Sequence, residues 1–172
     1  MRILNKSLRI KMNAESKLER FAELEFQRNI AHIIVDDDNG GIVAFGKYHI
    51  KPDSTGYTVA TWDRDIHSFS TKRIAMAWCT ADKYNQLNMG NEILVLDRKK
   101  QALAADIHCR RGVAERGRNE DFYEIVNIKI QPKISQFNLV NSELEKCVKS
   151  AKYLQIRGFN NETARTRGAN AK

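Results

Sequence analysis

Four histidines (His32, His49, His67 and His108), three cysteines (Cys79, Cys109 and Cys147) and the run Asp36–Asp37–Asp38 are the side chains here best suited to hold a metal or move a proton. DDDNGG at 36–41 invites a calcium reading, but a calcium loop needs spaced oxygens and a glutamate near its twelfth position. Lys47 and Tyr48 occupy that region instead, so the run reads as a hairpin turn with two glycines able to take positive φ. The histidines share no ligand spacing, and no Cys-x-x-Cys occurs, which leaves no sequence case for zinc. As a nucleophile, Cys79 would need a base, and His67 is the only local candidate. Beside Trp78 it reads better as a buried structural thiol. Glycine-rich phosphate loops, a nucleophile elbow and a His-Glu-x-x-His helix are all missing. The expectation is a non-enzyme with no catalytic residue, metal or cofactor, and three reduced thiols in a cytosolic setting.

Charge is the next signal. The net charge is +8 over 172 residues, and it sits at the ends. Residues 1–12 carry Arg2, Lys6, Arg9 and Lys11 and no acid; residues 149–172 carry Lys149, Lys152, Arg157, Arg165, Arg167 and Lys172 against Glu162 alone. The middle is close to neutral. Basic ends on a neutral body suggest arms for a polyanion or an acidic protein surface, or simply solvated tails. The first segment lacks the continuous apolar region of a secretory signal. An organelle-targeting look-alike and a start at Met12 are its alternative readings. No apolar run approaches the ~20 residues needed to span a membrane.

These groups must be positioned by a small set of elements. Residues 13–29 read as a first helix, with Leu18, Phe21, Ala22 and Phe26 inward. Three antiparallel strands are expected at 31–35, 42–50 and 57–62, separated by turns at 36–41 and 51–56. A packing helix follows over 71–86, capped by Ser70, with Ile74, Ala77, Trp78 and Ala81 as one apolar stripe. From Gly90 the pattern is helical. Ile93, Leu96, Leu103 and Ile107 form one seam, and Gly112 and Gly117 are expected to end that helix. FYEIVNIKIQ (122–131) suits helix or strand, and Pro132 should kink or begin a helix. Ile134, Phe137, Asn141, Leu144, Val148 and Ala151 form a second seam, in which Asn141 would set register unless the seam slips to Val140. Gly158 is the expected stop, with an irregular tail beyond it. The organisation is thus a basic arm (1–12), a helix–sheet–helix unit (13–88), an antiparallel helical hairpin (89–158) and a basic tail (159–172). The fold class is α+β.

Three strands followed by a helix is also similar in layout to the plant ethylene-response-factor DNA-binding domain and to integrase arm-binding domains. A sheet-face reader presents basic and aromatic residues along one face. Lys47, Tyr57 and Trp62 are the candidates here, although Asp36, Asp37, Asp38, Asp63 and Asp65 lie among them and would repel phosphate.

FSTKRIAMAWCTADK, the later NEILVLDRK and the closing SELEKCVKSAKYLQIRGF resemble small proteins of T-even-like phages of marine bacteria, the cyanophage type especially. The family pattern maps onto Phe69, Lys72, Ala75, Trp78, Cys79, Asp82 and Lys83, and later onto Arg157 and Phe159, covering about residues 42–159. The resemblance implies a phage setting but supplies no catalytic residues. The resulting expectation is a non-catalytic protein that assembles with other proteins as a minor virion component, located in the virion or host cytoplasm. Its partners would be other virion proteins or a second copy met through the hairpin, not a membrane. The candidate contacts are Arg2, Lys6, Arg9, Lys11, Arg157, Arg165, Arg167 and Lys172. The alternative is a DNA- or RNA-binding accessory protein using these arms or the sheet face.

Overall fold

The computed structural model describes residues 34–36, 40–116 and 120–169, with 34–36, 114–115, 120–121 and 159–169 as backbone only. Five strands, β1 (Ile34–Asp36), β2 (Ile42–Ala44), β3 (Tyr48–Pro52), β4 (Tyr57–Ala60) and β5 (Asp65–Phe69), precede three helices, α1 (Lys72–Lys83), α2 (Leu87–Arg116) and α3 (Glu120–Ala169). The class is α+β. The strands form one antiparallel sheet in chain order, β1-β2-β3-β4-β5. The expected helix at 13–29 and arm at 1–12 lie outside the described residues, as does the strand expected at 31–35 before Ile34.

Five strands replace the expected three, for two local reasons. The run 42–50 is cut by a reversal in which Lys47 N donates to Ala44 O at 3.1 Å. Its central residues Phe45 and Gly46 have φ of 55° and 63°, the backbone of a tight twisted hairpin turn. Phenylalanine rarely sits at such a position, so Gly46 alone is the turn signal there. Ring contacts with Tyr48 and Tyr84, at 6.5 and 6.3 Å between centroids, offset the strain. The other addition, β5, pairs with β4 across a bulge at Val59/Ala60. The strand expected through Trp62 therefore stops at Ala60, and Trp62 lies in the β4–β5 turn closed by Thr61 N and Arg64 O at 2.8 Å.

At the opposite end of β4, the Asp53 carboxylate accepts from Thr55 N (2.7 Å), Gly56 N (2.8 Å) and the hydroxyls of Thr55 and Thr58. Gly56 is required by close approach, since a Cβ there would lie 2.2 Å from Phe69 O.

α1 is the centre of the molecule. It packs on β3, β4 and β5 and also on both α2 and α3. Every residue from Ile74 to Ala81 is buried, so the expected single stripe is a helix enclosed on all sides. Small residues make that possible: Ala75, Ala77, Cys79 and Ala81 admit two layers at close range, and Thr80 satisfies its hydroxyl on Met76 O at 2.9 Å. Trp78 meets Tyr48, His67 and Phe69 by ring contacts. The cap is Thr71, whose side chain accepts from Ile74 N, and not Ser70. Ser70 instead donates its N–H (2.8 Å) and hydroxyl (2.5 Å) to the buried Asp97 of α2, tying the end of β5 to the hairpin.

α2 and α3 form an antiparallel pair with matched rows. Lys133 pairs with Asp106 at one level, and the Lys100 ammonium lies 5.9 Å from the Phe137 ring at the next. Gly112 does not break α2; it lies inside the helix, which runs to Arg116. Residue Gly117 is outside the described residues. Positions 122–131 are helical, and Pro132 sits within α3. The inward seam of α3 is Val140, Leu144, Val148, Ala151 and Gln155, so the expected seam at Asn141 slips by one residue. Gly158 does not stop α3, which continues as helix to Ala169 where an irregular tail was expected. A Cβ at 158 would fall 2.1 Å from the Tyr84 ring. That glycine serves close packing against the α1–α2 corner, not termination.

Candidate protein-interaction surface

α3 is far longer than the core it covers. Toward its N-terminal half the only buried residue is Ile130 among the described residues before Val140. Large apolar side chains point the other way. Ile125, Ile128 and Leu139 are 50%, 65% and 62% exposed, and Pro132 between them is also exposed. The spacing is three, four and seven residues, so they share one face of a helix. At 100° per residue that face is turned roughly 90° from Val140 and roughly 130° from Leu144, clear of the inward seam. α3 therefore has an inward seam for its own core and an outward one that nothing else in the described residues covers.

A second apolar area lies at the distal end of the hairpin. Val113, Phe122 and Tyr123 are exposed there, beside a cleft of about 350 Å³ lined by Cys109, Arg110, Val126 and Lys129 among others. Clustered exposed apolar side chains rimmed by charge are characteristic of protein contact sites.

A polar cleft of about 410 Å³ opens where β5 meets α2, between Thr58, Ser68, His67, Arg98 and Gln101, with Asp65 at its margin. Burial, with Arg98 adding, holds His67 below the usual histidine range. Cys79 is fully buried, and burial pushes its thiol up, the Asp82 charge adding. A thiol so placed is a poor nucleophile. Among the described residues no group of three or more His, Cys, Asp or Glu side chains is placed to hold a metal ion, and no helix is long and apolar enough to cross a membrane.

The residues singled out from sequence fall in separate places. Lys47 lies in the β2–β3 turn, 3.0 Å from Tyr48 Oη and 3.4 Å from Asp82 of α1. Trp62, 90% exposed, is at the same end of the sheet. Tyr57 pairs with Pro52 at the other end and packs on the core. The three therefore do not share one open sheet face. Arg157 is exposed on α3. Arg165 and Arg167 lie in its last turns, described as backbone only, and Arg2, Lys6, Arg9, Lys11 and Lys172 lie outside the described residues. The outward stripe was missed. Its signal is present as 125-128-132-139, but β-branched residues around it and Pro132 within it disguise the helical period. No protein-family model matches this chain, and comparison with curated proteins and with solved structures finds no match either.

Proposed function

We propose that this chain is a non-catalytic assembly protein whose helical hairpin joins it to other proteins. In the phage setting suggested by the FSTKRIAMAWCTADK resemblance, it is a minor virion component. The observation that carries the reading is the outward stripe Ile125, Ile128 and Leu139 on a helix whose separate inward seam already serves the core. These three side chains are already partly covered, so a partner that buries the remainder gains about 1–2 kcal/mol from each.

The test is mass spectrometry of phage particles purified from the source of the gene. The expected result is the chain present in fixed stoichiometry and lost when Ile128→Glu is introduced. Absence from particles, together with tight duplex binding by the full chain, overturns the reading in favour of the nucleic-acid alternative.

A further inference from the structure

We propose that the occupant of the outward α3 stripe is a second copy of this chain, docked parallel and in register; this rests on the assembly reading above. The stripe has coiled-coil spacing. Ile125, Pro132 and Leu139 fall at one core position of the heptad, and Ile128 and Ser135 at the other. Both faces of α3 thus follow helical periodicity, one closed within the chain and one offered outward.

Charge selects the partner and its direction. In a parallel pair of helices, the residue just before the first core position faces the residue five places on in the other helix. Here these are Glu124 and Lys129, both exposed and without an ion-pair partner among the described residues. Two copies in register place each Glu124 against the other's Lys129, twice by symmetry. The next such pair is Gln131 with Gln136, and the third is Asn138 with Glu143, so no like charges meet. An antiparallel pair centred on Gln131 sets Glu124 opposite Asn138 and loses both attractions. The surface is self-complementary only in the parallel sense, as a two-fold dimer requires.

Ser135 lies mid-stripe and is small enough to let the helices approach closely. Two heptads alone make a marginal coiled coil. Here the helix is already built by its packing against α2 and α1, so association costs less ordering than it would for a free peptide. The contact is smaller than a standard interface of about 1,600 Å², so the expected dissociation constant is on the order of 10 µM.

Sedimentation equilibrium of the full chain across that concentration range reads the dimer directly. Wild type should shift from monomer to dimer, and Ile128→Glu should stay monomeric with an unchanged circular dichroism spectrum. Lys129→Glu should weaken dimerisation roughly tenfold, a loss of about 1.4 kcal/mol, and Glu124→Lys with Lys129→Glu together should restore it. For direction, Ser135→Cys in a Cys109→Ser background should form an intermolecular disulfide between equivalent positions on mild oxidation. A monomer at every concentration, a dimer indifferent to Ile128→Glu, or failure of the double charge exchange to rescue overturns the proposal. If the chain is monomeric yet Ile128→Glu still abolishes incorporation into particles, the second copy is wrong and the assembly reading stands. If it dimerises as expected but is absent from particles, the reverse holds.

Discussion

The Tyr48 hydroxyl is held between charges of opposite sign at the rim of the core. It donates to the Asp82 carboxylate and lies 3.0 Å from Lys47 Nζ. Burial, with the Asp82 contact second, pushes its ionisation up to about 12. The protonated phenol is therefore favoured in the folded state. Its contribution to stability is complete below the ordinary tyrosine value near pH 10 and is lost as pH rises through about 12. A spectrophotometric titration should show one tyrosine ionising well after the others, and Asp82→Ala should bring it earlier. The opposite sign applies at Asp53, where the hydrogen bond from Thr58 and those from Thr55 hold the carboxylate at about 2. Its turn keeps that support above the ordinary aspartate range and loses it as pH falls through about 2. The Asp53 carbonyl resonance followed by NMR should therefore titrate later on acidification than that of any aspartate lacking such donors. At Gly158, alanine must displace the Tyr84 ring. The helix-propensity gain of ~1 kcal/mol is outweighed by overpacking of ~1–3 kcal/mol, so a net loss of up to ~2 kcal/mol should appear in denaturant melts.

At the scale of elements, α1 and α3 make the sharpest stability predictions. Trp78→Ala should cost ~3–5 kcal/mol, since its ring fills the space between sheet and helices. Leu144→Ala should cost ~2–5 kcal/mol, whereas Asn141→Ala, off the seam and partly exposed, should change stability by less than ~1 kcal/mol. Chemical denaturation of the three variants separates these ranges. The same elements mark what could be read without coordinates. α1 was legible because a 3.6-residue stripe with one large anchor leaves little choice. The one-residue slip at Asn141 was not, because inward residues at 140, 144, 148 and 151 fit that spacing as well as a strict heptad does until a neighbouring helix decides. The β2–β3 reversal was hidden by a phenylalanine in a glycine-like conformation, excused only by rings from elsewhere in the chain. Gly158 misled in the opposite direction: a local preference to end a helix was overridden by a tyrosine some seventy residues away in sequence.

For the whole molecule, binding through an apolar stripe and binding through cationic ends respond differently to salt. Partner association governed by Ile125, Ile128 and Leu139 should change little between ~50 and ~200 mM salt, since only rim charges are screened. Duplex binding by the ends would instead fall with a slope of about −0.9 per phosphate contact. Titrations of the full chain against duplex and against its protein partner across that range tell them apart.

The enclosed position of α1 has a bearing on how the chain is made. Each strand bonds only to its neighbours in the chain, so the sheet needs only short loop closures and can form while synthesis continues. α1 emerges next, with one side able to settle on that sheet. Its other side waits for α2 and α3, whose core residues reach as far as Ala151. During that interval the growing polypeptide displays a half-finished core, the kind of surface that chaperones hold and that aggregates when it meets its like. Ribosome-bound chains stalled with Gln86 just clear of the exit tunnel should therefore recruit holdase chaperones, and chains extended at the C-terminus and stalled with Gly158 clear of it should release them.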